Sequence, residues 1–189
     1  MSLWEEAVAV ATLRAALDQV CRNRAGPGPD GVTVAQFAAD GEAQVRALHD
    51  ELLRGEYRPR PARTMLFPKP GGGHRRLAVS AVRDRVVQHA LAATLSSALD
   101  GALHPQAWAW RRGRSPRGAL AVVDDAMASG YEWVFRGDIE AFFDRIPPAE
   151  LLAALRELTA DDALCTLVAR VQSAGALVGR QIADPALGT

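Results

Sequence analysis

Apolar residues open the chain at helical spacing: Leu3, Ala7, Val10, Leu13, Leu17 and Val20 fall three or four positions apart. Ser2 and Glu5 form a Ser-x-x-Glu capping box ahead of them, so the pattern predicts a helix ending near Arg24. The run Gly26-Pro27-Gly28-Pro29-Asp30-Gly31 cannot continue it and reads as a loop. Thr33 and Gln36 make a second capping box, and the period returns through Phe37, Val45, Leu48 and Leu52 to a stop at Gly55. Pro59, Pro61, Pro68 and Pro70 then forbid helix. Thr64–Phe67 and Arg76–Val79 read as two short strands, with Gly71-Gly72-Gly73 turning between them into a hairpin with a basic rim. Val86, Ala90, Leu91, Leu95 and Leu99 mark a helix from about Val82.

Residues 107–114 read as irregular. Ser115 can cap and Pro116 open a helix through Leu120, Val123 and Met127 to Gly130. Glu132–Arg136 reads as a strand ending at Gly137-Asp138. Pro148 can start a helix carrying Leu151, Leu152 and Leu155. A last helix around Leu164, Leu167, Val168 and Val171 ends by Gly175, and loop or strand follows. These elements predict an α+β fold in three parts: a helical region over 1–56, a region with the basic hairpin and helices over 57–130, and a strand-led region over 131–189.

The 189 residues, 49% of them hydrophobic, can bury a core. Cys21 and Cys165 lie far apart at no metal spacing and read as reduced core residues. The N-terminus carries Glu5 and Glu6 where a secretory leader needs bases, and no apolar run approaches the ~20 residues of a membrane span. The expectation is a soluble, cytoplasmic protein that binds no membrane.

Net charge is zero, from 22 basic and 22 acidic residues, but its distribution is uneven. Arg54, Arg58, Arg60, Arg63, Lys69, Arg75, Arg76, Arg83 and Arg85 face only Glu56 and Asp84, a local charge of +7. Arg111, Arg112, Arg114 and Arg117 form a second cluster. Such clusters attract a phosphate backbone; a solvated basic face is the other reading. Lys69 is the single lysine among 21 arginines.

The sharpest segment for chemistry is Phe135-Arg136-Gly137-Asp138-Ile139-Glu140-Ala141-Phe142-Phe143-Asp144-Arg145-Ile146. A carboxylate held at a strand end is a rigid ligand for a hard divalent cation such as Mg2+. Two such ions roughly 3.5–4 Å apart serve phosphoryl transfer from a nucleoside triphosphate. Taken alone, Asp138 reads sooner as the cap of a turn after a strand than as a metal ligand.

The ordered blocks around it resemble the reverse transcriptases of bacterial group II introns and their relatives, including those tied to CRISPR adaptation. Gly28-Pro29-Asp30-Gly31-Val32-Thr33 is similar to the family's Gly-x-Asp-Gly-Val-Thr. Tyr57-Arg58-Pro59 with Phe67–Leu77 is similar to its fingers hairpin, and Asp84-Arg85-Val86-Val87-Gln88 to its next block. Trp110-Arg111-Arg112-Gly113-Arg114-Ser115 resembles Phe-Arg-Pro-Gly-Arg-Ser. Asp138–Ile146 resembles the palm block Asp-Ile-x-x-Phe-Phe-Asp-x-Ile. The blocks span about residues 26–158, with Arg76, Ser80 and Arg112 standing where the family has prolines.

The resemblance implies helix-rich fingers with a β-hairpin leading into a partial right-hand polymerase palm. Asp138 would be the first metal-binding catalytic carboxylate and the Ile139 carbonyl a further ligand, in a site for two Mg2+ ions. Phe143 would be the gate that excludes a ribose 2′-hydroxyl. Lys69 and Arg75 would contact the triphosphate; Arg63, Arg76, Arg111 and Arg114 would lie along template or nucleotide. Asp84-Arg85 reads as a structural ion pair, and Glu140 and Asp144 as structural. The implied partners are an RNA template, a DNA or RNA primer and dNTPs. A C-terminal polymerase remainder and CRISPR adaptation proteins are further candidates, the latter on a lean from Trp108-Ala109-Trp110 and Gly130–Val134. The family's Tyr-x-Asp-Asp acids have no counterpart here: Asp124-Asp125 falls inside a helix and Asp161-Asp162 at a helix start. Ala186-Leu187-Gly188-Thr189 looks like the approach to the family's Pro-Gln-Gly block. One carboxylate cannot organise two metals, so residues 1–189 by themselves are expected not to polymerise. A non-catalytic RNA-binding, maturase-like module or decayed remnant is the alternative. A nucleotide hydrolase fits poorly, because the glycine run lacks the Gly-x-x-x-x-Gly-Lys-Ser/Thr phosphate loop.

Overall fold

In a computed structural model of the chain the expected helices form, and a four-stranded sheet stands beside them. The structure describes all residues except 69, 143, 144, 179, 180 and 184–189, and only the backbone of 178 and 181–183. The first helical stretch is two helices, α1 (Leu3–Val8) and α2 (Val10–Asn23). Ser2 and Glu5 cap α1 reciprocally. The chain leaves helical geometry at Ala9 (ψ 140°), which periodicity alone had not indicated. The break frees the Val8 carbonyl, and the ring Nδ1–H of His49 donates to it at 2.8 Å. It also lets Ala7 and Val8, adjacent in sequence, both lie buried.

Thr33 and Gln36 cap α3 (Val34–Ala39) in the same reciprocal way, and α4 (Gly41–Leu53) follows. Strands β1 (Ala62–Pro68) and β2 (His74–Val79) form the expected hairpin, with Gly72 and Gly73 at positive φ in its turn. Then come α5 (Val82–Leu99), a 3-10 turn (Asp100–Ala102), α6 (Pro116–Ala128), α7 (Pro148–Thr159) and α8 (Asp162–Gln172). Ser115 caps α6 by accepting the Gly118 N–H, and Asp161 caps α8 by accepting the Leu164 N–H at 2.9 Å. Strands β3 (Ala176–Val178) and β4 (Gln181–Ala183) complete a sheet ordered β2-β1-β3-β4, in which β3 runs parallel to β1 through Ala62↔Ala176 and Arg63↔Leu177.

The core gathers α1, α2, α4, α5 and α8. Leu13, Val20, Val45, Leu48, Leu52, Val82, Val86, Leu91, Leu164 and Leu167 pack there, with Tyr57. Residues from both ends of the chain thus share one core, and the Trp4 N–H donates to Asp161 across the join at 2.8 Å. The α+β class is the one the sequence predicts.

The strand expected at Glu132–Arg136 does not form: residues 131–139 have no regular structure. A strand is held by its ladder, and the described sheet gives this segment no neighbour. Trp133 and Phe135 are 95% and 94% exposed. The α6 face bearing Leu120, Val123 and Met127 is exposed too. A right-hand palm is therefore not displayed by the described residues. No helix among them is long and apolar enough to cross a membrane. Cys165 is buried and Cys21 half-buried, both free thiols.

Candidate nucleic-acid and nucleotide interface

The hairpin sorts its basic residues by strand alternation. Register pairs Arg63 with Val79, Met65 with Leu77 and Phe67 with Arg75. Because these pairs are two residues apart along the strands, all six side chains belong to one face. Thr64, Leu66 and Pro68 pair with Ala78, Arg76 and His74 on the other. Arg75 and Arg63 therefore share a face with Met65, Phe67 and Leu77, about 13 Å apart along the strand, and Arg76 lies opposite with Leu66 and His74. Arg63, Arg75 and Arg76 are exposed, as are Phe67, Leu66 and Leu77. Guanidinium groups beside exposed apolar side chains can take both phosphates and bases. Lys69 lies outside the described residues.

The hairpin stands on a buried polar cluster. Asp84, on the first turn of α5, is fully buried. Its Oδ1 accepts the Tyr57 hydroxyl at 2.8 Å and its Oδ2 accepts the Arg60 N–H at 3.0 Å. Arg83, not Arg85, is its ionic neighbour, with Nε 3.8 Å away. The expected Asp84-Arg85 pair does not form: Arg83 takes that place, and the Arg85 guanidinium is directed to the Gly26 carbonyl instead. Arg83 also pairs with Glu51 at 2.5 Å and lies over the Tyr57 ring. Burial pushes the Asp84 carboxyl above its ordinary value; the Arg60 N–H, the Tyr57 hydroxyl and Arg83 pull it back down. Burial, and then Asp84, also raise the Tyr57 phenol. The Tyr57-Arg58-Pro59 motif does not by itself announce this cluster; the local signal is a tyrosine just before Pro59 and Pro61 at the entry to β1.

Arg85 turns to the glycine-rich loop, where its Nη2 donates to the Gly26 carbonyl at 2.9 Å. Asp30 of that loop pairs with Arg60 at 2.7 Å and accepts the Val32 N–H. Gly28 lies against the start of α5: a Cβ there would meet Ala81 Cα and N and the Ser80 carbonyl oxygen at 2.5–2.7 Å. The block is thus an architectural brace under the hairpin.

The second basic cluster divides in two. Arg111 is spent inside the protein. Its guanidinium donates to Asp100 Oδ1 at 2.8 Å and to the carbonyls of Asp100, His104 and Ala107, and its side chain is 8% exposed. The hydrogen bond from Arg111 holds the Asp100 carboxyl below its ordinary value. Arg114 lies over the Trp108 ring, 4.8 Å from its centroid. Arg112 and Arg117 are exposed and form no ion pair with the described residues.

Asp138 is exposed, and its Oδ1 accepts the neighbouring Ile139 N–H at 3.1 Å. Ile139 is exposed, and Glu140 pairs with Arg145 at 3.2 Å. Among the described residues no three His, Cys, Asp or Glu side chains come together in a way that could hold a metal. One carboxylate with one carbonyl does not fit two Mg2+ ions, each of which takes about six oxygens. Phe143 and Asp144 lie outside the described residues. Of the expected site residues the hairpin thus groups Arg63 with Arg75 on one face and Arg76 on the other, and nothing described joins them to Asp138.

No model of a protein family matches the chain. It is 33% identical to protein YkfC of Escherichia coli (strain K12) over 153 residues, 79% of this chain and 40% of that protein. It is 31% identical over 134 residues to a 91 kDa protein in the cob intron of Schizosaccharomyces pombe, covering 71% of this chain and 16% of the relative. It is 26% identical over 154 residues to a COX1/OXI3 intron 1 protein of Saccharomyces cerevisiae, covering 82% of this chain and 18% of the relative. The chain spans well under half the length of each of these relatives, and they include proteins encoded in introns.

Proposed function

We propose that the chain is the N-terminal, template- and nucleotide-handling portion of an intron-type reverse transcriptase. The observation that carries this is the β1–β2 hairpin: an exposed, arginine-bearing ribbon with apolar side chains between its bases, braced on a helical core by Asp84 and the Gly28 loop. The likeness to two intron proteins over 71–82% of the chain supports the intron context. Arg75 and Lys69 are assigned to the triphosphate of an incoming dNTP; Arg63, Arg76 and Arg114 are assigned to the RNA template and the DNA or RNA primer. Arg111 serves by holding its loop. Asp138 is assigned as the first metal-binding carboxylate, with the Ile139 carbonyl beside it and Phe143 as the sugar gate. Its two Mg2+ ions need acids from outside the described residues.

Primer extension on an RNA template with dNTPs and Mg2+, by the natural polypeptide, tests this. Asp138→Ala should abolish synthesis while leaving template binding within about two-fold, since it removes no phosphate contact. Synthesis by Asp138→Ala at the wild-type rate would sink the assignment. The exposure of Asp138, outside any metal-holding group of three side chains among the described residues, favours one second reading, a maturase-like RNA-binding module. RNA binding with no synthesis by the wild type selects it.

A further inference from the structure

Trp110 is 95% exposed and its φ is +59°. That left-handed geometry is unfavourable for a bulky residue. It is held by its surroundings, and those are rigid. The next residue, Arg111, is tied by its four hydrogen bonds to Asp100, His104 and Ala107. The Ala107 N–H donates to the His104 carbonyl at 2.9 Å, and the Gln106 N–H to His104 Nδ1 at 3.1 Å. Trp108, two residues earlier, is turned the other way. It is half-buried, lies under Arg114, and sits so close to Gly118 on α6 that a Cβ there would meet its ring at 2.6 Å. One tryptophan of the pair anchors the loop and the other is displayed.

The surroundings of the displayed indole are cationic. Residues 104–117 carry Arg111, Arg112, Arg114 and Arg117 and no acid. Arg112 and Arg117 are exposed, and Arg114 is half-buried. A rigid aromatic face beside free guanidinium groups complements a chain that alternates bases with phosphates. An apolar protein surface would have no use for the charges.

We infer that Trp110 is a base-stacking residue for single-stranded nucleic acid, with Arg112 and Arg117 as the phosphate contacts beside it. This rests on the nucleic-acid half of the proposed function and not on polymerase chemistry. The stacked base lies on the indole, and the strand leaves past Arg112 and Arg117.

Fluorescence anisotropy with labelled oligouridylate and oligothymidylate of about twelve nucleotides, a length spanning one such platform, tests it. Trp110→Ala should weaken binding roughly 5- to 100-fold, the loss expected when one stacked base is given up. Its affinity should fall with salt at the wild-type slope, because no phosphate contact is removed. Trp110→Phe should retain most of the affinity. Arg112→Ala should instead lower the salt slope by about one unit. The RNA and DNA arms show which sugar the platform takes. Wild-type affinity in Trp110→Ala overturns the stacking assignment and leaves the broader reading standing; a lowered sedimentation coefficient in that variant would assign the indole to protein contact instead. If the wild type binds neither oligonucleotide, the broader reading falls and the inference with it.

Discussion

Asp84 is a carboxylate kept where carboxylates are costly, and its partners explain why it stays. Two hydrogen bonds tie α5 to the residues that launch the hairpin: the Tyr57 hydroxyl on Oδ1 and the Arg60 N–H on Oδ2. Asp84→Ala leaves the buried Tyr57 hydroxyl and the half-buried Arg60 N–H without their acceptor, so it should cost about 2–4 kcal/mol in urea unfolding. Tyr57→Phe removes one donor and should cost about 1–2 kcal/mol. The pH dependence has a definite sign. Burial raises the folded-state value above the ordinary 3.8, so between the two values the folded state holds more protons than the unfolded one. This group's contribution therefore falls as pH rises from about 4. Asp84→Asn should remove that slope; an unchanged pH profile of stability would show that the carboxyl is not desolvated as described. The sequence placed Asp84 on α5 but paired it with Arg85. Its ionic neighbour is Arg83 on the other side, and its two hydrogen-bond donors come from 24 and 27 positions away, which no local pattern announces.

The elements with local signals were the ones visible in the sequence. Capping boxes at Ser2 and Thr33, the Ser115-Pro116 start and the glycine turn at 71–73 each act within four residues, and each appears where expected. The carbonyl freed by the break at Ala9 is met by His49 from 41 positions away, and the parallel pairing of β3 with β1 joins residues more than a hundred positions apart. Neither leaves a trace in periodicity. Glu132–Arg136 has strand composition but no neighbour, and composition cannot supply one. For the candidate site the result is similar: the hairpin and its basic rim were legible, whereas the internal use of Arg111 and the display of Trp110 were not, since both depend on how the loop closes on Asp100 and Gly118. The glycine-rich loop offers an element-scale prediction. Gly28 meets backbone atoms of Ser80 and Ala81, which cannot swing aside as a side chain could. Gly28→Ala should destabilise by about 1–3 kcal/mol. It should also loosen the hairpin base, read as faster amide exchange in residues 57–62. Wild-type stability in that variant would mean that the loop does not brace α5.

Across the whole molecule, stability and exposed apolar surface are separated along the chain. The core takes residues 7–91 and then 164–167, and α8 closes it through Leu164, Leu167 and the Asp161 contact with Trp4. The stretch from Leu120 to Phe142 adds nothing to that core. Its large apolar side chains, Leu120, Val123, Met127, Trp133 and Phe135 among them, are exposed. Mutations should therefore divide by position and not by residue type. Leu164→Ala deletes atoms of a side chain buried in the core and should cost about 2–5 kcal/mol. Asp161→Ala removes the cap of α8 and the acceptor of the Trp4 N–H together, for about 1–3 kcal/mol. Phe135→Ala and Leu120→Ala remove larger or equal apolar groups, yet both lie in water before the change and should stay within about 0.5 kcal/mol of wild type. Chemical denaturation of the four variants checks the division. A loss on Phe135→Ala comparable with that on Leu164→Ala would mean that residues 120–142 fold onto the body of the protein, and Asp138 would then sit in a different environment from the exposed one found here.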